Sequence, residues 1–165
     1  MMYNLWLIAG VVYYLFLLFE LCDNERNLRK LIVVFIVFFA VYSGFNFFSG
    51  QGAEVYNGNS YILGSVLIVI ASTGILFNYL KADGLSIRTE KWSFILFVAG
   101  LILFYSATAV LMSTLNYLKD HNPRLTVIFF QIFNHGFNIL LYTAFIVALV
   151  LDNKGKRNKQ RSATS

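Results

Sequence analysis

The chain of 165 residues is 58% hydrophobic and 18% aromatic, with 13% charged residues, one proline and one cysteine. Soluble domains of this length sit near roughly 45 to 50% apolar and about 25% charged, and a core of this volume cannot hide so much apolar surface from water. The composition therefore excludes an ordinary water-soluble domain and calls for lipid as a second solvent. The lone Cys22 excludes an internal disulfide.

Charged side chains divide the chain into uncharged runs at residues 1–19, 31–53, 55–80, 92–118 and 125–151. A helix rises about 1.5 Å per residue and crosses a hydrocarbon core about 30 Å thick with roughly 20 apolar residues. Each run is long enough to cross once and too short to cross twice. Backbone amides find no water inside lipid, so each span is a helix or part of a closed barrel. The strict alternation of a barrel strand is absent from runs such as Leu31-Ile-Val-Val-Phe-Ile-Val-Phe-Phe39. The expected fold is an all-α, polytopic bundle of five transmembrane helices at about residues 3–22, 30–48, 60–81, 92–117 and 125–151, forming one domain over 1–151.

The first run lacks the basic start and small-residue cleavage site of a signal peptide and reads as a retained span. Between the second and third helices, the Gly- and Asn-rich segment 49–60 carries the turn pair Asn57-Gly58 and no glycosylation sequon. Asp83-Gly84 turns the next connection, and Pro123 sits just before or within the first turn of the fifth helix. Residues 152–165 form a short basic tail expected to be disordered, acting as an anchor on anionic lipid or as a docking segment for a cytoplasmic partner.

Orientation follows from Lys and Arg, which are retained in cytoplasmic loops. Arg26, Arg29, Lys30, Lys81, Arg88, Lys91 and the five basic residues of the tail lie on one side of a five-span chain, against Lys119 and Arg124 on the other: eleven against two. The N-terminus is expected outside and the C-terminus inside. Losing one helix is expected to scatter the basic loops across both faces, so the count also supports five spans. The net charge of +5 is this asymmetry, and no nucleic-acid partner is implied.

The fifth helix carries the clearest polar pattern. At 100° per residue, Gln131, Asn134, His135, Asn138 and Tyr142 share a sector of about 100°, with Arg124 on the same line. Such a stripe is expected to face away from lipid, because a lone polar group in hydrocarbon costs several kcal/mol. It fits interhelical hydrogen bonding and it fits a binding cavity. Tyr42, Asn46 and Ser49 on the second helix, Ser65, Ser72 and Asn78 on the third, and Ser106, Ser113 and Asn116 on the fourth are the expected partners. Asn46, Asn116, Gln131 and Asn134 all fall in the outer halves of their helices, which predicts convergence on an outward-facing cavity.

His135 is the titratable group of that stripe, able in principle to relay protons or sense pH. His121 lies 14 residues earlier on the same segment, about 20 Å away along a helix, so one chain cannot clamp a haem with both. Zinc lacks further His or Cys ligands, and no cofactor is implied. Glu20 is expected to snorkel to the inner surface beside Arg26 and Arg29. No nucleophile triad, phosphate loop, intramembrane carboxylate pair or His-Glu-x-x-His motif occurs, which points away from an enzyme.

Over residues 59–151, the polar start Asn59-Ser-Tyr61, the Leu/Ile-rich helix after it, the stretch Lys91-Trp-Ser-Phe-Ile-Leu-Phe-Val-Ala-Gly-Leu-Ile-Leu-Phe-Tyr-Ser106, and Asn134, Asn138 and Leu140-Leu-Tyr142 form a pattern. It resembles a loose group of small bacterial membrane proteins similar to the membrane-sensor halves of two-component histidine kinases. Those proteins often have seven helices where five are expected here, and the 165 residues hold no kinase or ATPase portion. The resemblance implies a sensing or signalling partnership. The expected function is a non-enzymatic sensor-like or accessory subunit of a bacterial inner-membrane signalling complex, with a membrane or cytoplasmic signalling protein as partner and a second copy also compatible. The alternative is a transporter or channel component with a polar path along helix five.

Overall fold

The computed structural model describes residues 2–22, 26–50, 58–83 and 89–163, and the described residues are helical almost throughout. The helices are α1 (Met2–Glu20), α2 (Arg26–Phe45), α3 (Gly58–Asp83), α4 (Thr89–His121) and α5 (Pro123–Ala163), and α2 runs on through a π-helical turn at Asn46–Gly50. Runs rich in Val, Ile and Phe would favour strands in water. A helix closes every backbone hydrogen bond within its own segment, and that requirement outweighs side-chain propensity in lipid.

Four helices are long and apolar enough to cross a membrane: Arg26–Phe48, Gly58–Lys81, Trp92–Leu115 and Arg124–Lys154. The apolar part of α1, Asn4–Glu20, is shorter. The chain thus has the helices of a multi-pass membrane bundle.

α1, α2 and α3 pack mutually, α4 packs on α3, and α5 packs along α4. Val11, Leu15 and Leu18 of α1 meet Ile32 and Phe39 of α2, Ile68, Ala71 and Ile75 of α3, and Leu101 and Tyr105 of α4 in one core. A smaller cluster of Leu111, Met112 and Leu115 gathers Tyr61, Ile62 and Phe130. The helices differ sharply in how much neighbours cover them. Of the apolar segment, 44% is buried in α3 but only 12% in α5, which makes α3 the central helix and α5 the outermost.

Small residues set the close approaches. A Cβ at Gly64 would stand 2.7 Å from both Cγ atoms of Val11 and 2.9 Å from Cε2 of Phe39, so three helices meet at a point only glycine leaves open. At Gly100 a Cβ would lie 3.1 Å from the Cβ of Ala144, the tight contact of α4 with α5. Further along, Ser93 Oγ donates to the Ala148 carbonyl at 2.7 Å, and Phe97 stacks on Phe145 at 4.6 Å. The α4–α5 turn is a single residue: Asn122 Oδ1 accepts from the Leu125 amide at 3.3 Å, capping α5 just ahead of Pro123.

α5 continues through the basic segment to Ala163. Lys, Arg and Gln are good helix formers, no proline interrupts them, and cations suit a helix C-terminus. Helix ends also lie outside the expected limits: α2 begins at Arg26 and α4 spans Thr89–His121. A helix does not stop where apolarity stops, since its last turns can stand in the interface or in water. The connections at 51–57 and 84–88, with Asn57 and Gly84 of the expected turns, lie outside the described residues.

Candidate functional site

α5 meets α4 through Phe130, Phe137, Leu141, Ala144 and Ala148, which share one face. That face is small and aromatic, suited to the groove around Gly100. The polar sector is turned about 100° from its centre, so it lies on the flank of the helix and not beneath it. Gln131 and His135 are exposed, Asn138 is half-buried and Tyr142 is 59% exposed. The side chains of Asn134 and Asn116 lie outside those described. Gln131, His135 and Tyr142 therefore lie on the open side of the outermost helix, with Asn138 at its margin.

The imidazole is held by its own helix. His135 Nδ1 lies 2.6 Å from the Gln131 carbonyl, which accepts from it in the Nδ1–H tautomer. Nε2 is then left for a second partner. His121 repeats the arrangement at the start of the turn, 2.9 Å from the Tyr117 carbonyl and stacked on the Tyr117 ring at 4.3 Å.

Asn46 has gone elsewhere. It is 8% exposed in the π-turn and donates from Nδ2 to Ser60 Oγ at 3.2 Å, joining the end of α2 to the start of α3. The described members of the expected outward cavity therefore divide: Asn46 belongs to the α2–α3 junction, while Gln131 and His135 face out from α5. The amphipathic arithmetic sets the α5 residues along one line of the helix and leaves open which side of that line α4 covers. Elsewhere, Ser65 and Ser72 are fully buried with no hydrogen-bond partner for their hydroxyls, and Ser106 and Ser113 are exposed on α4.

Sequence reasoning passed over a tyrosine node. Tyr105 of α4 is buried, meets Tyr14 of α1 edge-on with ring centroids 5.6 Å apart, and has Tyr61 of α3 and Tyr142 of α5 within electrostatic range. Four helices thus bring one phenol each to one region. Within uniformly aromatic spans these tyrosines look like packing residues, and nothing in their spacing set them apart. Tyr142 links this node to the exposed stripe.

A groove of ≈ 470 Å³ opens between α4 and α5, walled by Leu103, Ser106, Thr114, Phe129 and Phe133. It lies on the flank of α5 away from the polar stripe. The Thr114 hydroxyl is committed to the Val110 carbonyl at 2.9 Å, so the groove offers mainly apolar surface. Among the described residues, no three His, Cys, Asp or Glu side chains gather to hold a metal ion.

Fold and site together define an all-helical, multi-pass membrane protein whose outermost helix carries a polar flank. No protein-family model, curated protein or solved structure matches this chain.

Proposed function

We propose that the protein is a non-enzymatic accessory or sensor-like subunit of a bacterial cytoplasmic-membrane complex. It crosses the bilayer five times with its N-terminus outside, and the polar flank of α5 docks a partner helix. One observation carries this reading: α5 packs mainly along α4, yet turns Gln131 and His135 outward at the depth of its apolar segment. Unmet polar groups cost several kcal/mol in hydrocarbon, whereas amides and imidazoles pairing across helices contribute about 0.6 to 2 kcal/mol each. A partner helix converts that cost into specificity. The basic residues of the inner loops and of the α5 extension would meet the cytoplasmic part of the same complex.

The test is a photo-crosslinking residue at position 131 or 135 in native membrane, with Ile132 and Ile139, exposed elsewhere on α5, as comparison sites. A discrete protein adduct from the polar flank alone supports the reading, and lipid adducts alone at all four positions would refute it. The second reading, a transporter component, rests on the exposed His135 set along a continuous polar line. It requires solute or proton flux in liposomes that His135→Ala abolishes.

A further inference from the structure

The first turns of α2 carry a cleft that neither the α5 reading nor the tyrosine node uses. Arg26, Arg29, Lys30, Val33 and Val34 stand at spacings of three, four, seven and eight residues, so they occupy one helical face. They line a cleft of ≈ 550 Å³ whose opposite wall is Phe19 of α1. The order along the axis is cations first, then branched apolar side chains, and the same face continues inward as exposed Val37, Phe38 and Val41.

Arg29 is pre-positioned. Its guanidinium carbon lies 4.3 Å over the Phe19 ring, a cation–π contact that fixes the plane of the fork. Its Nε is buried and has no hydrogen-bond partner. A buried donor left unmet is unfavourable, and a guanidinium offers a phosphate oxygen charge-assisted bonds. No carboxylate among the described residues pairs with Arg26, Arg29 or Lys30, and Glu20 is exposed. By contrast, Lys81, Arg124 and Lys154 are exposed on their helices and line neither cleft nor groove described above.

We infer that this cleft is a binding site for an anionic phospholipid, with the phosphate held by Arg26, Arg29 and Lys30 and an acyl chain laid along Val33, Val34 and the Phe19 ring. The apolar half of the lining selects a lipid over a free anion. This assignment needs the ends of α1 and α2 to lie at the bilayer surface and is independent of what α5 docks.

The full chain, purified in detergent, is incubated with phosphatidylglycerol or phosphatidylcholine, and retained lipid is read by native mass spectrometry. One phosphatidylglycerol per chain is retained in preference to phosphatidylcholine. Each of Arg26→Gln, Arg29→Gln and Lys30→Gln weakens retention about fivefold, the scale of one basic residue near an anionic surface, and Lys154→Gln leaves it unchanged. Arg26→Gln leaves the Arg29–Phe19 contact in place, so its effect separates binding from folding, and circular dichroism verifies helicity in every variant. Equal retention of both lipids, or wild-type retention in the Arg26→Gln, Lys30→Gln double variant, would overturn the site. Displacement by millimolar inorganic phosphate would make it a free-anion site and overturn the lipid assignment.

Discussion

Gly64 sets how near α1 and α2 come to α3. A methyl group there must displace Val11, whose branched side chain is stiff at χ1, or Phe39, which is fully buried. Overpacking of this kind costs about 1 to 3 kcal/mol. Gly64→Ala is therefore expected to lower the thermal midpoint in detergent, while Gly10→Ala, with no atom within 4 Å of the added Cβ, leaves it unchanged or raises it. Buried polar residues of similar size separate in the same way. Asn46 and Ser60 bond across helices, so a double-mutant cycle with alanine at both positions should return a coupling near ~0.6 kcal/mol, the average for such pairs in membranes. The hydroxyls of Ser65 and Ser72 are buried and unpartnered, so Ser65→Ala and Ser72→Ala should match or exceed wild-type stability in the same melts.

At the scale of elements, α4 and α5 form an antiparallel hairpin with a one-residue turn, and three contacts fix their register: Gly100 at Ala144, Phe97 on Phe145 and Ser93 at the Ala148 carbonyl. In a Cys22→Ser background, the pair Gly100→Cys and Ala144→Cys should form a disulfide within one chain on mild oxidation, read as a mobility shift reversed by reductant. The Cβ separation of 3.1 Å is just under the usual 3.5 to 4.5 Å or so, and a small outward shift of α5, which has no extensive contact beyond α4, supplies the difference. The same Cys pair moved one position along α5 should not crosslink.

The helices were legible because apolar run length and charge placement are local properties of the chain. So was the start of α5 at Pro123, which needs only neighbouring residues. The packing sides were not legible, because α5 presents aromatic and polar flanks of similar width and only the shape of α4 around Gly100 selects between them. The π-turn at Asn46–Gly50 and the Asn46–Ser60 bond were hidden for a related reason: both depend on where the start of α3 falls, and the connection between them carries no regular period. Tyr105 and its neighbours were missed because a phenol in an aromatic span has the same pattern as a phenyl ring.

For the whole molecule, the question is whether α1 crosses. The charge distribution bears on this less than it first suggests, since no Lys or Arg precedes Arg26. Removing α1 from the crossing helices moves an unbranded end of the chain to the other face and leaves all thirteen basic residues where they were. The positive-inside count bears on α2 to α5 only and is silent on α1. Packing supplies the argument instead. Val11, at the middle of α1, meets Gly64 within the apolar segment of α3, so the middle of α1 is level with that segment. Its outward face is also apolar, with Trp6 77%, Tyr13 58% and Phe16 53% exposed, whereas a helix lying on the surface would turn charge to the water. The 19 residues of α1 rise about 28 Å, close to the thickness required. An N-terminal tag should therefore react with a membrane-impermeant reagent in intact cells, and a C-terminal tag only after permeabilisation. Finding both tags on the inner face would strike α1 from the crossing helices while leaving the orientation of the other four intact.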